Sequence, residues 1–272
     1  MTPVPAIDLL GHGYIATAIA DRFRRVGQSF SHQPHDDYRL SGDIVINAAG
    51  YNGVPNVEGC ETHRFLTAEG NVAWPLEVER KARQRPVIHI STGCLYQGDG
   101  ADGDGWTEDD PPNFTGSYFA MCKAVAQRAL EECCTGRDAK SFVLRVRMPF
   151  GSRPHPRNLV TKLAGYHVLN DVVNSISCID DIAEAVWHIV NPDTRPKPGI
   201  YNCVLRGVVS TREICSVFGI VPPGGWSEDG QAGVVLAPRS VCRLSTEKAE
   251  AAGFEVREVG EALRMAAAKY RA

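Results

Sequence analysis

Residues 6–27, AIDLLGHGYIATAIADRFRRVG, carry the pattern from which the architecture follows. An apolar run, IDLL, reads as a buried strand, and Gly11-His12-Gly13-Tyr14-Ile15-Ala16 then forms a GxGxxA turn. A helix follows whose apolar face carries Ile15, Ile19 and Phe23. Glycine between a strand and a helix lets backbone approach a pyrophosphate at the helix N-terminus, so this is the first half of a dinucleotide-binding βαβ unit.

Working outward, residues 28–32 (QSFSH) read as a second strand and 43–50 (DIVINAAG) as a third. The third has the continuous apolar run of a strand covered on both faces. A helix is expected over 69–84, then a strand in 86–96 (PVIHISTGCLY). An exposed loop rich in Gly, Asp and Pro should follow at 98–116, then a helix carrying SYFAMCK (117–123), and a strand at 141–151. The alternation indicates a Rossmann-type doubly wound parallel sheet of the α/β class over residues 1–150. Residues 151–272 are less regular: a loop at 152–158, helices at 158–169, 180–190, 210–220 and 258–270, strands at 172–179 and 200–204, and a loop at 222–230. They read as a smaller C-terminal substrate lobe, partly interleaved with the sheet.

The 272 residues suffice for a substantial core. A net charge of -3 gives no basic balance for nucleic acid. Nine cysteines without CxxC spacing argue for reduced thiols, against disulfides and against a structural metal site, so a cytoplasmic protein is expected. No apolar run is long enough for a membrane span.

The candidate cofactor residues follow from the pattern. Gly11, Gly13, Tyr14 and Ile15 open the first helix, and Asn47, Ala48, Ala49 and Gly50 close the third strand with small side chains that admit a ligand against the backbone. Where an Asp or Glu would hold the ribose hydroxyls of NAD, the second strand offers Ser31 and His32. NADPH is therefore permitted, and the nearby Asp36 and Asp37 keep NADH as the alternative. Ser91-Thr92-Gly93-Cys94 ends the next strand at the edge where ligands of this fold sit.

The order of glycine loop, NAAG, strand-end hydroxyl and aromatic-xxx-Lys helix resembles the extended short-chain dehydrogenase/reductases. Residues 47–63, 91–96, 107–124, 144–151, 156–166, 172–177, 199–202, 207–210 and 235–240 narrow the match. They look like the bifunctional nucleotide-sugar 3,5-epimerase/4-reductases of rhamnose synthesis and the related 4-dehydrorhamnose reductases. The resemblance implies a nucleotide-diphosphate 4-keto-6-deoxy sugar as substrate, a homodimer, C4 reduction by NAD(P)H and epimerisation at C3 and C5. It assigns the carbonyl contacts to Thr92 and to the position of Phe119, the nicotinamide ribose to Lys123, and epimerase acid–base work to Cys94 and Lys162. Met148 is expected beside the cofactor, and Asn158, Asn174 and Arg239 beside the substrate, with Arg239 near the diphosphate. A dehydratase of the superfamily would carry Thr-Asp-Glu where this chain has Thr92-Gly93-Cys94, and a pure 4-epimerase would need an intact tyrosine.

Two departures stand out. The GHGYIA loop is one residue shorter than the GxxGxxG usual in the family, and Phe119 occupies the place of the catalytic tyrosine. Tyr118 is no easy substitute, because five residues advance a helix by about 140° past a full turn whereas four return to the same face. Losing a positioned general acid costs about 10²–10⁴ in rate. Three explanations stay open: an engineered Tyr-to-Phe variant, a natural enzyme that draws its proton from Tyr118 or water or retains epimerisation alone, and a binding protein without turnover.

Overall fold

The computed structural model describes residues 5–54, 56–227 and 237–270. Residues 228–230 of the expected loop at 222–230, and Val235 and Leu236 of the matched segment 235–240, lie outside them. The opening stretch folds as read: β1 (Ile7–Leu10), a turn through Gly11 and Gly13, and α1 (Tyr14–Arg25), which buries Ala16, Ile19, Ala20 and Phe23. β2 (Phe30–Gln33) and β3 (Ile44–Asn47) pair with β1 on either side.

The helical region after β3 differs from the expected single helix over 69–84. It begins ten residues earlier and comes in pieces: α2 (Gly59–Thr62), α3 (Arg64–Ala68), a π-helical turn (Glu69–Ala73) and α4 (Trp74–Ala82). The irregularity has a tertiary cause. A Cβ on Gly70 would stand 2.8 Å from Cβ of Tyr51, and Asn71 reaches out of the turn to donate to the Tyr51 carbonyl at 2.7 Å. The helix is therefore deformed around residue 51, and no local periodicity reports that.

β4 (Val87–Thr92), α5 (Tyr118–Thr135) and β5 (Phe142–Val146) follow. α5 starts where Ser117 caps it by accepting from the Ala120 amide at 3.2 Å. In the second half come α6 (Leu159–Gly165), β6 (Leu169–Asn170), β7 (Val173–Asn174), α7 (Ile179–Val190) and β8 (Gly199–Asn202). β9 (Val209–Ser210), α8 (Thr211–Phe218), β10 (Trp226–Ser227), α9 (Glu247–Ala251) and α10 (Val259–Ala267) complete the chain. The strand expected over 172–179 is a two-residue pairing of β7 with β9, and the helix expected to reach 169 ends at Gly165, after which β6 pairs with β10. The five-residue α9 is too short to leave a periodic signature.

Six parallel strands run in the order β2-β1-β3-β4-β5-β8. This is the Rossmann-type doubly wound sheet. On one face, Ile7, Leu9, Ile46, Leu144 and Tyr201 pack with α1 and α7; on the other, Leu10, Val45 and Val87 meet Val78 and Ala82 of α4. β8 and α7 come from the second half of the chain, so the sheet and its main core are completed by residues after 150. A second apolar core gathers Phe150, Leu159, Val160, Leu163, Ile176, Leu205, Ile214 and Leu263 beyond the C-terminal ends of the strands.

Candidate active site

Strand order reverses between β1 and β3, where open α/β sheets take their ligands, and the turn leaving β1 meets the end of β3, which shares a cavity with the end of β4. Gly11 adopts φ +100, and an added Cβ would come within 3.0 Å of the Ala49 nitrogen and 3.1 Å of the Ala48 carbonyl. The glycine loop and the end of β3 thus lie backbone against backbone. Gly13 caps α1 without any side-chain cap, leaving the first-turn amides open to an anion. These features fit a dinucleotide pyrophosphate.

Tyr14 lies flat on His155, with ring centroids 4.5 Å apart at 11°, and its buried hydroxyl has no partner among the described residues. Burial pushes that phenol upward. Ile15 turns the other way and packs on the main core. Ser31 is held within the sheet, donating to Asp8 Oδ1 at 2.7 Å and accepting from Gln33 at 2.7 Å. The side chain nearer the glycine loop is His32, bonded to the Gly11 carbonyl at 2.7 Å and 4.2 Å from the His12 ring. Burial lowers the pKa of His32.

Asn47 is fully engaged: its Oδ1 accepts from Trp74 Nε1 at 2.8 Å and the Ala49 amide at 3.2 Å, and its Nδ2 meets His89. It braces the strand end so that Ala48, Ala49 and Gly50 face the cleft. A Cβ on Gly50 would be 3.2 Å from Asn71 Oδ1 and 3.5 Å from Lys123 Nζ. Asn71 Oδ1 is buried without a partner among the described residues, and Lys123 makes no hydrogen bond or ion pair with any of them. An unpartnered acceptor and an unpartnered ammonium side by side suit a ribose that both donates and accepts. Burial pushes the Lys123 ammonium down to about 8.

Phe119 is 8% exposed, and Lys123 Nζ lies 6.0 Å from its ring centroid. Tyr118 instead lies under Arg64 of α3, 5.2 Å from its guanidinium, and its hydroxyl titrates upward because of Cys122. The two aromatics occupy different faces of α5, as helical geometry requires. Thr92, at the end of β4, accepts at Oγ1 from the Cys94 amide at 3.1 Å, which leaves its own proton available to a carbonyl. Cys94 accepts from Arg147 Nη1 at 3.3 Å. Lys162 of α6 has its pKa lowered by burial first and then by Arg157 and Arg239, with Cys94 opposing.

Met148 holds a left-handed φ of +43, uncommon for a side chain of its size, just beyond β5. Asn158 has no group to spare. It caps α6 by accepting from the Val160 amide and donates to the carbonyls of Gly151 and Arg153. Asn174 accepts from the Cys242 amide and from Arg147, and Arg239 pairs with Glu58 at 3.0 Å.

The family described as the RmlD substrate-binding domain matches residues 36–271. Over 234 residues the chain is 36% identical to the bifunctional dTDP-4-dehydrorhamnose 3,5-epimerase/dTDP-4-dehydrorhamnose reductase of Arabidopsis thaliana, covering 80% of this chain and 74% of that one. The chain belongs to the RmlD substrate-binding domain family. Its RmlD-family relatives include an Arabidopsis thaliana trifunctional UDP-glucose 4,6-dehydratase/UDP-4-keto-6-deoxy-D-glucose 3,5-epimerase/UDP-4-keto-L-rhamnose-reductase. That relative is 36% identical over 72% of this chain, which spans 30% of its length. The crystal structure of the L780 UDP-rhamnose synthase of Acanthamoeba polyphaga mimivirus has the same fold, with a TM-score of 0.86 at 21% identity over 98% of this chain and 100% of that one. The RmlD-family chain thus stands among nucleotide-sugar reductases and epimerases of the extended short-chain dehydrogenase/reductase superfamily.

Three residues at the RmlD-family site were not singled out from the sequence. Asn71 depends on the π-helical turn, which has no sequence signature here, and His155 reaches Tyr14 only through packing across the chain. Arg147 did leave a trace: a charged residue in the middle of the otherwise apolar stretch LRVRMPF, residues 144–150, must find partners once buried.

Proposed function

We propose that the protein binds NADPH, with NADH as the alternative, and acts on a nucleotide-diphosphate-linked 4-keto-6-deoxyhexose. It inverts C3 and C5 and reduces C4, with the reduction slowed by Phe119. The observation that carries this reading is the half-buried Lys123 beneath Phe119, without a hydrogen-bond or ion-pair partner among the described residues, in a cleft that it shares with Asn71 and with Ser91 near the end of β4.

When bound, the cofactor supplies hydride to C4. Gly11, Gly13 and the α1 N-terminus would hold its pyrophosphate, and Lys123 with Asn71 its nicotinamide-side ribose. Thr92 donates its free hydroxyl proton to the C4 carbonyl. That polarisation acidifies the C3 and C5 protons, because the electron pair left behind spreads onto the carbonyl oxygen. Cys94 and Lys162 then work as a base and an acid at these carbons, and the lowered Lys162 pKa eases proton exchange near neutral pH. Arg239 and Arg157 provide positive charge for the diphosphate. Phe119 keeps the ring that shapes the pocket but brings no proton for the C4 oxygen.

A homodimer is proposed through α5 and α3, where Met121 and Val125, four residues apart on α5, and Phe65 and Leu66 on α3 are exposed. The nine free thiols favour a reducing, cytoplasmic setting.

The test is incubation with a 4-keto-6-deoxyglucose nucleotide in deuterated water, read by NMR. Deuterium should enter C3 and C5 without NADPH, and Cys94→Ala should reduce its entry at least about 100-fold. No exchange in the unsubstituted protein, together with no NADPH oxidation by Phe119→Tyr, would show a binding protein without turnover.

A further inference from the structure

Arg147 is 1% exposed and follows β5 directly. Its Nη1 donates to Cys94 Sγ at 3.3 Å and to Ser240 Oγ at 3.0 Å; its Nη2 donates to the Ser240 carbonyl at 2.6 Å and to Asn174 Oδ1. No ion pair among the described residues includes it. Arg145, two residues earlier and equally buried, differs: Glu108, Asp109 and Asp110 all favour its charge. The groups nearest Arg147 that can carry negative charge are thiols, Cys94 by direct contact and Cys242, whose pKa it pulls down against burial.

A buried guanidinium with only neutral partners is costly to maintain. It is explained if one of those partners becomes an anion during turnover. Cys94 meets that condition, because the sulfur sits at the end of β4 beside Thr92 and faces the surroundings of Lys162.

We propose that Arg147 is the positioning residue of the epimerisation step: it aims the Cys94 sulfur and carries its counter-charge. The inference rests on the function proposed above. In the step, the sulfur enters as the anion, its proton having gone to solvent, and Lys162 enters as the ammonium. The C–H bond at C3 or C5 breaks, S–H forms, and the electron pair moves into the C4 carbonyl to give the enolate. Lys162 delivers a proton to the opposite face, the sulfur then gives its proton to solvent and the Lys162 amine takes one from solvent, which restores the starting pair. Asn174 and Ser240 fix the guanidinium in the plane that meets the sulfur.

The experiment compares Arg147→Lys and Arg147→Gln in a Phe119→Tyr background. Deuterium exchange into the 4-keto-6-deoxyglucose nucleotide should fall about 10- to 100-fold, the range carried by a hydrogen bond to a charged group. NADPH-dependent reduction of the already epimerised 4-keto nucleotide should change less than about threefold by the same reasoning. Equal losses in both reactions would mean a merely structural role and overturn the proposal, as would unchanged exchange. In the unsubstituted protein, iodoacetamide should label Cys94 at least about tenfold faster than Cys133 and Cys203, which are comparably half-buried. Equal labelling overturns the proposal even where the variants do not fold. Absence of exchange before any Arg147 substitution overturns the proposed function itself, so the two failures are told apart.

Discussion

Adding one oxygen should turn this chain into a fast reductase. Phe119→Tyr places a phenol on the face of α5 shared with Lys123, whose Nζ lies 6.0 Å from the ring centroid. At about 6 Å and an effective dielectric near 20, an ammonium stabilises a phenolate by about 3 kcal/mol, which makes the phenol a usable acid near neutral pH. A positioned general acid contributes about 10²–10⁴ in rate, or about 3–5 kcal/mol of barrier, so the Coulomb contribution is of the right size. The assay is loss of NADPH absorbance on addition of the epimerised 4-keto nucleotide, with NADPH affinity measured separately. The gain should shrink as pH rises through about 8, because Lys123 loses its charge there. The reasoning is refuted if Phe119→Tyr folds and binds NADPH normally yet reduces the sugar less than about tenfold faster.

Two further substitutions probe the cofactor end of the site. Gly11→Ala introduces a Cβ at φ +100 against the Ala48–Ala49 backbone, and should cost about 1–3 kcal/mol of stability and weaken NADPH binding, read by urea unfolding and cofactor fluorescence. Lys123→Met should stabilise the protein at pH 7 while impairing cofactor use. The folded value of Lys123 is about 8 against an ordinary 10.5, so below pH 8 both states are protonated and the burial cost is fully present. Between 8 and 10.5 the unfolded chain holds the extra proton and stability rises with pH. The span corresponds to about 3 kcal/mol, and Lys123→Met should flatten that slope; an unchanged slope would show that Lys123 is not the group responsible.

Much of the site was legible because it is local. A glycine loop between an apolar strand and an amphipathic helix needs only neighbours in sequence, and β1, α1 and their turn appear where the pattern puts them. The step-of-four relation between Phe119 and Lys123 is likewise set by helix geometry, and the structure keeps that face separate from Tyr118. Asn158 shows the limit. Its residue type suits a substrate contact, yet packing spends every donor and acceptor on the start of α6.

The alternation of strands and helices, the glycine loop, the family and the step of four that sets Phe119 over Lys123 could all be read from the chain's pattern alone. These features are carried by periodicity and by short-range spacing. Packing across the chain is what brings Asn71 beside Lys123 through a π-helical turn, lays His155 over Tyr14 and sets Arg147 against Cys94. Each of these joins residues 50 or more positions apart, with one exception: the turn that presents Asn71 bends around Tyr51, 20 residues away. Such contacts are selected by how whole elements pack, and spacing along the chain does not report which distant side chains that packing brings together.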